Sequence, residues 1–355
     1  MARILFSILL SYVCITVVAC HGLDTSPPKF PAVLIFGDST VDTGNNNYIG
    51  TLFKANHSPY GVDYLDHVAT GRFSDGRLVP DMLVSELGIK ESLPPFLNRQ
   101  LSDDEIKTGV SFASAGSGID DLTTMASGVI PVSRQPLMFN NYKNRLKSIV
   151  GDEEANKTIS NALILISAGT NDFIFNWYDI RSRRLQFHNI TGYQDFLQQR
   201  LRNLLMKLYH LGGRKFIVAG LPPIGCLPFQ ITAKFKNPLQ RACIEEQNSD
   251  ATIYNAKLKN MLLEIQSSLS GSRFIYGGIY DLVIDMVNHP EKYGFVDTNK
   301  GCCGTGFLEM GPLCNIFTPP CVDASKFLFW DAVHPTEAAY KVLSKYLLEL
   351  LPALY

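Results

Sequence analysis

Three residues have the types and spacing that can turn a serine hydroxyl into a nucleophile. Ser39 follows the apolar run 31–36 and lies in the sequence FGDSTVDTGNNN. Near the other end of the chain, Asp331 and His334 form an Asp-x-x-His pair in WDAVHPTEAAY. A serine hydroxyl reacts when a base, usually an imidazole, takes its proton, and a carboxylate fixes the tautomer of that imidazole. The pair therefore predicts that the Asp331 carboxylate meets Nδ1 of His334 while Nε2 faces outward.

His289 is the alternative base, because it is also followed by proline and has Asp285 one helical turn before it. This spacing is typical of a surface histidine near the end of a helix. For His334 the alternative is a capping or core histidine. We expect His334, and not His289, to be the base.

Two further segments could stabilise a negatively charged oxygen. Such an oxygen needs donors that are already in position when the charge develops. The sequence SFASAGSGID, 111–120, offers backbone N–H groups among small residues, and SAGTND, 167–172, offers the side-chain amide of Asn171. Either segment alone is also typical of ordinary turns. Together with Ser39 and the Asp-x-x-His pair they favour one site.

Five continuous apolar runs, separated by helical patterns, predict a parallel sheet with helices on both faces. The fold class is therefore α/β, a three-layer α/β/α sandwich with a five-stranded parallel sheet in the order 2-1-3-4-5. Ligands of such sheets bind at the carboxyl ends of the strands, where Ser39 follows strand one. The predicted strands are 31–36, 109–114, 162–169, 215–220 and 273–280, and the clearest helices are 192–211, 241–268 and one from Pro335.

Composition and the first residues limit the class of protein. The chain has 355 residues, of which 46% are hydrophobic, and its net charge is −1. We therefore expect no nucleic-acid partner and no binding to an anionic membrane surface. Residues 1–20 predict a signal peptide cleaved after Cys20, which leaves residues 21–355 as a single domain without a stable membrane anchor. A retained anchor and lipid attachment at Cys20 are the alternatives.

Six cysteines remain in the mature chain and predict three disulfides in an oxidising compartment. Adjacent cysteines rarely bond each other, so Cys302 and Cys303 are expected to reach Cys314 and Cys321, which leaves Cys226 to pair with Cys243. A zinc site is the weaker interpretation, because no histidine lies at ligand spacing and no CxxC pair occurs. The sequons for glycosylation are Asn56, Asn156 and Asn189.

Four motifs resemble the blocks of the GDSL esterase/lipase family, within the SGNH-hydrolase superfamily. They are FGDSTVDTGNNN, GVSFASAGSGI, SAGTND and DAVHPTEAAY, in the family's order and spread over the mature chain. GRFSDGR, 71–77, and GCCGTG, 301–306, resemble its secreted plant branch. One position departs from the pattern, since Thr40 stands where the family has leucine.

The resemblance implies a flavodoxin-like SGNH-hydrolase fold and a role for each site residue. Ser39 would be the nucleophile, His334 the base and Asp331 its orienting acid. The oxyanion would be held by the N–H of Ser39, the N–H of Gly118 and the side chain of Asn171. Gly118 is preferred to Gly116 because the family's glycine precedes an apolar residue. No metal or organic cofactor is implied.

These observations predict a carboxylic ester hydrolase that acts through a Ser-His-Asp acyl-enzyme. Its substrates would be esters of lipids or of acylated carbohydrates, and its role lipid degradation and lipid metabolism. We expect a secreted glycoprotein of the cell wall or apoplast, and the oligomeric state stays open. The alternatives are an extracellular acyltransferase with the same triad, a catalytically silent lipid- or polysaccharide-binding relative, and a flavodoxin-like binding module.

Overall fold

The computed structural model describes residues 30–125, 127–234 and 241–355. The predicted signal peptide, 1–20, lies outside these described residues. The main sheet has four parallel strands in the order β1-β2-β3-β4, and a second sheet has two. The strands are β1 Val33–Gly37, β2 Leu163–Ser167, β3 Lys215–Ala219, β4 Arg273–Gly277, β5 Asp297–Gly301 and β6 Phe327–Phe329.

The prediction of a fifth regular strand at 109–114 is wrong, although the segment lies where that strand was expected. It runs beside β1 on the side away from β2, and Phe112 N donates to Ile35 O at 2.7 Å. Regular pairing is limited to Ser111, which bridges Ile35 and Pro95. Gly109 has a φ of +99°, outside the strand region, and Gly37 N, the next donor along β1, donates to Gln135 Oε1 at 2.8 Å instead. The predicted spatial order is thus retained with four regular strands.

Helices cover both faces of the sheet, which confirms the predicted α/β class. All five residues of β1 are buried, as expected for a strand with no solvent-facing side. Among the described residues α1 packs against α10, and α6 against α8. The helices are α1 Val79–Glu86, α2 Asp103–Lys107, α3 Asp121–Met125, α4 Gln135–Val150, α5 Asp152–Asn161, α6 Ile190–His210, α7 Pro228–Lys234, α8 Glu245–Ser268, α9 Ile279–Asn288 and α10 Glu337–Leu350.

The last helix begins two residues later than its sequence suggested. Thr336 is the N-cap, and its side chain accepts a hydrogen bond from Ala339 N at 3.2 Å. Pro335 instead pairs with Phe329 of β6. None of the helices described is both long and apolar enough to cross a bilayer.

Three disulfides stabilise the connections. Cys226 bonds Cys243, as the sequence predicted, and the other two bonds are Cys302–Cys321 and Cys303–Cys314. The cysteines that suggested zinc are therefore consumed in cross-links. Buried Cys302, Cys303 and Cys314 belong to a small second core, separate from the sheet's core, which also contains Ala55, Tyr60, Phe73, Ala115, Ala324 and Trp330.

The cross-link from Cys226 to Cys243 should contribute measurably to stability. The two cysteines are separated by 17 positions in the sequence. A cross-link over a loop of that length lowers the conformational entropy of the unfolded chain, which stabilises the folded state by about 3 kcal/mol. We expect the double variant Cys226→Ala/Cys243→Ala to lose about that much free energy of unfolding in urea. After reduction with dithiothreitol, the variant and wild type should unfold at similar urea concentrations, which isolates the cross-link from the substitutions. An unchanged midpoint under oxidising conditions would contradict this prediction.

Candidate active site

Ser39 is held at the carboxyl end of β1 by the turn that begins at Gly37. Gly37 has a φ of +139°, and a Cβ there would lie 1.9 Å from Ser167 O, so only glycine fits. The side-chain amide of Gln135 makes two hydrogen bonds to the backbone of Gly37. Its Oε1 accepts from Gly37 N at 2.8 Å, and its Nε2 donates to Gly37 O at 2.7 Å. Asp38 N donates to Ser167 O at 3.0 Å. The nucleophile candidate therefore stands on a backbone fixed to β2 and α4.

His334 is held by a turn that Asp331 organises. Asp331 Oδ1 accepts hydrogen bonds from the N–H groups of Val333 and His334, both at 2.8 Å. Trp330 N donates to His334 O at 2.7 Å and closes the turn. The three-residue spacing of Asp331 and His334 therefore forms a local turn. In this turn the carboxylate accepts hydrogen bonds from the backbone N–H groups and also contacts the imidazole.

The structure brings Ser39, His334 and Asp331 together. Ser39 Oγ and His334 Nε2 are 2.8 Å apart, and His334 Nδ1 lies 2.7 Å from Asp331 Oδ2. All three are buried, and Asp331 is fully inaccessible to solvent. Because a carboxylate at Nδ1 places the proton there, Nε2 is free to accept from the serine hydroxyl. The arrangement can activate Ser39.

Tyr60 is a site residue that sequence reasoning missed. Its hydroxyl donates to Asp331 Oδ2 at 2.7 Å and accepts from Gly311 N at 2.7 Å. Burial and the neighbouring Asp331 raise the pKa of Tyr60 well above its usual value, so the hydroxyl keeps its proton. No motif or periodicity marks Tyr60, because its partners lie about 250 residues away or more.

The motif GRFSDGR, 71–77, packs against the histidine turn. The ring of Phe73 lies 4.8 Å from that of His334, centroid to centroid. Ser74 Oγ donates to Pro335 O at 3.1 Å, and Asp75 Oδ1 accepts from Glu337 N at 2.8 Å. Desolvation by burial raises the pKa of Asp75 to about 7. This segment therefore fixes the imidazole and the start of α10.

The sequence GNNN after the serine is structural. The side-chain amide of Asn45 donates to the carbonyls of Ser111 and Ala113, both at 2.8 Å. Asp42 accepts from Asn45 N at 2.7 Å and from Ala115 N at 2.9 Å. Desolvation by burial raises the pKa of Asp42 to about 6, although these hydrogen bonds act to lower it. Together they join the serine loop to 111–115.

Asn171 and one of the two candidate glycines lie at the cavity beside Ser39. Asn171 lines the cavity at Ser39; its Nδ2 donates to Ser117 O at 2.9 Å, and its second hydrogen has no acceptor among the described residues. Of the two candidate glycines, Gly116 lines this cavity. Gly118 does not line it, and a Cβ at Gly118 would meet the side chains of Asp172 and Thr123.

A largely apolar cavity of about 300 Å³ contains the Ser39 and His334 side chains. Its apolar walls can accept an acyl chain beside the reactive hydroxyl. A second apolar cavity, about 90 Å³, lies behind Thr40 and shares the wall residue Val333. The first cavity is lined by Ser39, Leu52, Phe53, Phe73, Gly116, Asn171, Ile174, Phe175, Phe229, Met310, Gly311, Pro312, Leu313, Val333 and His334.

The remaining sequence candidates lie elsewhere. His289 is exposed at the end of α9, where its Nδ1 lies 2.9 Å from Asp285 Oδ1, and it does not line the cavity. Asn56, Asn156 and Asn189 are all exposed. Within the described ranges, no three or more His, Cys, Asp or Glu side chains are grouped to hold a metal ion.

An α/β/α fold with this site at the carboxyl edge of its sheet is typical of an ester-hydrolysing enzyme. Residues 33–347 match the family described as GDSL-like Lipase/Acylhydrolase, and the chain belongs to that family. It is 56% identical over 324 residues to GDSL esterase/lipase At2g24560 of Arabidopsis thaliana, covering 91% of this chain and 89% of the relative. GDSL esterase/lipase At2g30220 of the same plant is 54% identical over 338 residues, 95% and 94% of the two chains.

The family resemblance expected from the motifs is thereby confirmed. These relatives are plant GDSL esterase/lipases, so the protein is a carboxylic ester hydrolase. The flavodoxin-like binding module is set aside as an alternative.

Asp172, next to Asn171, should make stability depend on pH. Its carboxylate accepts from the N–H groups of Ile119 and Asp120, both at 2.9 Å, and from Thr123 Oγ1 at 2.6 Å. Desolvation by burial nevertheless raises its pKa from 3.8 to about 7. Between these values the folded protein keeps the proton that the unfolded chain has lost. The contribution of Asp172 to stability is therefore full below pH 4 and is lost as the pH rises to 7, by at most about 1.4 kcal/mol per pH unit.

Asp172→Asn removes this titration. The free energy of unfolding of wild type, relative to the variant, should fall as the pH rises from 4 to 7, on top of a constant loss from one mispaired hydrogen bond. Urea unfolding at several pH values measures the difference. Asp104→Asn, which removes an exposed carboxylate, is the control. A wild-type-to-variant difference that does not vary with pH would refute the assignment.

Proposed function

We propose that the protein is a secreted serine esterase that cleaves carboxylic esters of lipids or other acylated substrates through a Ser39–His334–Asp331 triad. The observation that carries the proposal is the 2.8 Å separation of Ser39 Oγ and His334 Nε2, with Asp331 at Nδ1. Ser39 attacks the acyl carbon while His334 takes its proton and passes it to the leaving alcohol. Water, activated by His334, then releases the acyl group.

The negative oxygen of each tetrahedral intermediate needs donors on the far side of the acyl carbon from His334. In our proposal these are the N–H groups of Ser39 and Gly116 and the free amide hydrogen of Asn171. Gly116 replaces Gly118 because Gly116 lines the cavity with the other two residues. The φ of +80° at Gly116 favours glycine at that position.

The three disulfides support secretion, because disulfides form and persist in oxidising compartments. Three disulfides of this kind are rare in reducing compartments. The exposed sequons at Asn56, Asn156 and Asn189 are accessible to glycosylation. We propose cleavage after residue 20 and a single hydrolase domain from residue 21 that acts in the cell wall or apoplast.

Loss of Ser39 or His334 should abolish turnover. We expect Ser39→Ala and His334→Ala each to lower kcat/KM on p-nitrophenyl butyrate by about 10³-fold or more, because nucleophile and base act as a unit. His289→Ala is the matched control, since His289 is also a histidine before proline but lies outside the cavity, and it should keep wild-type activity. Full activity in Ser39→Ala would overturn the proposed mechanism. Inactivity of wild type on a panel of acyl esters would favour a catalytically silent relative.

Tyr60 should position Asp331 and not bind substrate. Tyr60→Phe removes the hydroxyl that donates to Asp331, a hydrogen bond to a charged group worth about 1.5–3 kcal/mol. We expect kcat to fall about 10-fold with KM unchanged, because the imidazole is held less firmly when it becomes charged.

Tyr142→Phe is the control for this prediction. It removes another buried tyrosine hydroxyl, which donates to Ile106 O at 2.7 Å outside the cavity. Its kcat should stay at the wild-type value. A rise in KM with constant kcat for Tyr60→Phe would assign Tyr60 to substrate binding instead.

A further inference from the structure

Asp38, which precedes the nucleophile in the chain, is a second buried carboxylate near His334. It is 3% exposed, and it does not line the cavity that contains Ser39 and His334. Asp38 N donates to Ser167 O at 3.0 Å, which fixes the residue to the end of β2. Burial of a carboxylate costs free energy, and the steps of ester cleavage described above give this one no role.

The hydroxyl of Thr40 is hydrogen-bonded to this carboxylate. Thr40 Oγ1 and Thr40 N donate to Asp38 Oδ1 at 2.9 and 3.1 Å. Thr40 Oγ1 also lies 2.9 Å from Ser167 Oγ. Because the hydroxyl hydrogen of Thr40 points to Asp38, Ser167 is the donor to Thr40, and the two hydroxyls form a chain that ends on the carboxylate. Hydrogen bonds in such a chain strengthen one another. The leucine of the family's motif has no hydroxyl that could form it.

Burial and the neighbouring groups have opposite effects on the charge of Asp38. Desolvation by burial raises the pKa of Asp38 to about 6, although the hydrogen bonds from Thr40 and the positive charge of His334 act to lower it. Coupling between two sites is reciprocal, so the ionised Asp38 stabilises the charged imidazole by the same free energy. The imidazole becomes charged when it takes the proton of Ser39. The hydroxyl of Thr40 can therefore act on the reaction through the charge of Asp38.

Two titratable side chains face Asp38 from other parts of the fold. One is His334, from the turn after β6, and the other is Tyr340 of α10, whose buried hydroxyl has no hydrogen-bond partner among the described residues. Burial and the negative charges of Asp38, Asp331 and Asp75 raise the pKa of Tyr340 well above its usual value. The tyrosine therefore stays neutral while Asp38 titrates.

We propose that Thr40 and Asp38 are positioning residues for the imidazole: the Thr40 hydroxyl keeps the Asp38 carboxylate ionised, and that carboxylate stabilises the imidazolium formed at His334. This rests on the proposed function and deepens it, because it adds a second carboxylate to the groups that act on the base. Thr40 lines the second cavity, and Asp38 lines neither cavity. Their effect should therefore fall on kcat and not on KM.

Two substitutions of similar shape separate the hydroxyl from the charge. Thr40→Val removes the hydroxyl, and Asp38→Asn removes the charge but keeps an oxygen that can accept from Thr40. We would measure kcat and KM on dissolved p-nitrophenyl butyrate from pH 6 to pH 9 for both variants, for the double variant and for Thr40→Ser. Thr43→Val is the matched control, since Thr43 is a buried threonine of the same loop whose hydroxyl has no partner in the part of the chain that the structure describes.

The two variants should lose activity with opposite dependence on pH. Loss of one hydrogen bond to the carboxylate raises the pKa of Asp38 by about one unit, so kcat of Thr40→Val should be about three-fold below wild type at pH 6 and equal to it at pH 9. In Asp38→Asn the charge is absent at every pH. Its loss in kcat should therefore grow from about five-fold at pH 6 to about ten-fold at pH 9, where wild type is fully ionised.

The remaining variants test whether the hydroxyl acts through the charge. In the Asp38→Asn background, Thr40→Val should cause no further loss of kcat, because no carboxylate remains to be kept ionised. Thr40→Ser retains the hydroxyl and should restore wild-type kcat within two-fold at every pH. Thr43→Val should match wild type, and KM should be unchanged in all variants.

Three results would overturn the proposal: a loss in Thr40→Val that is the same at pH 6 and pH 9, a loss that persists in the Asp38→Asn background, or an unchanged kcat in Asp38→Asn. If Asp38→Asn does not fold, the pH dependence of Thr40→Val and its rescue by serine decide the question. Failure of the proposed function is a different result, because wild type would then be inactive or Ser39→Ala would keep its activity.

Discussion

The carboxylate of Asp331 is the interaction on which the rest of the site depends. Its two oxygens accept from the turn N–H groups, from the imidazole of His334 and from the hydroxyl of Tyr60. A fully buried charge is costly unless it is hydrogen-bonded in this way. The same carboxylate therefore shapes the histidine turn, orients the imidazole and is linked through Tyr60 to Gly311, in the segment closed by the Cys302–Cys321 and Cys303–Cys314 bonds.

Other buried carboxylates fix the remaining loops at the same edge of the sheet. Asp42 joins the serine loop to 111–115, and Asp172 joins the asparagine loop to 119–120. Desolvation raises the pKa of Asp42 to about 6 and that of Asp172 to about 7. Near neutral pH each group must lose its proton while buried, which lowers the free energy of unfolding. The proposed acyl transfer would benefit from this rigidity, because fixed donors and a fixed serine need not reorganise as charge develops.

The residues around the cavity come from two parts of the fold. The sheet and its helices hold Ser39 and Asn171, whereas the second core, which contains the neighbouring Trp330 and three disulfide-bonded cysteines, lies beside Asp331. Tyr60 belongs to this second core and connects it to the triad.

The sequence by itself determined the local features. It predicted the α/β class, the places of four regular strands, the serine after β1 and the Asp-x-x-His turn, because each depends on residues close together in the chain. Only the tertiary structure decided what depends on distant contacts. It showed that Gly116, and not Gly118, lines the cavity, because the cavity wall is set by how two loops pack. It left 109–114 without regular strand structure, because Gly37 N of β1 donates to the side chain of Gln135, 98 positions away, and not to this segment. It also placed Tyr60 against Asp331, a contact across 271 positions that no local pattern encodes.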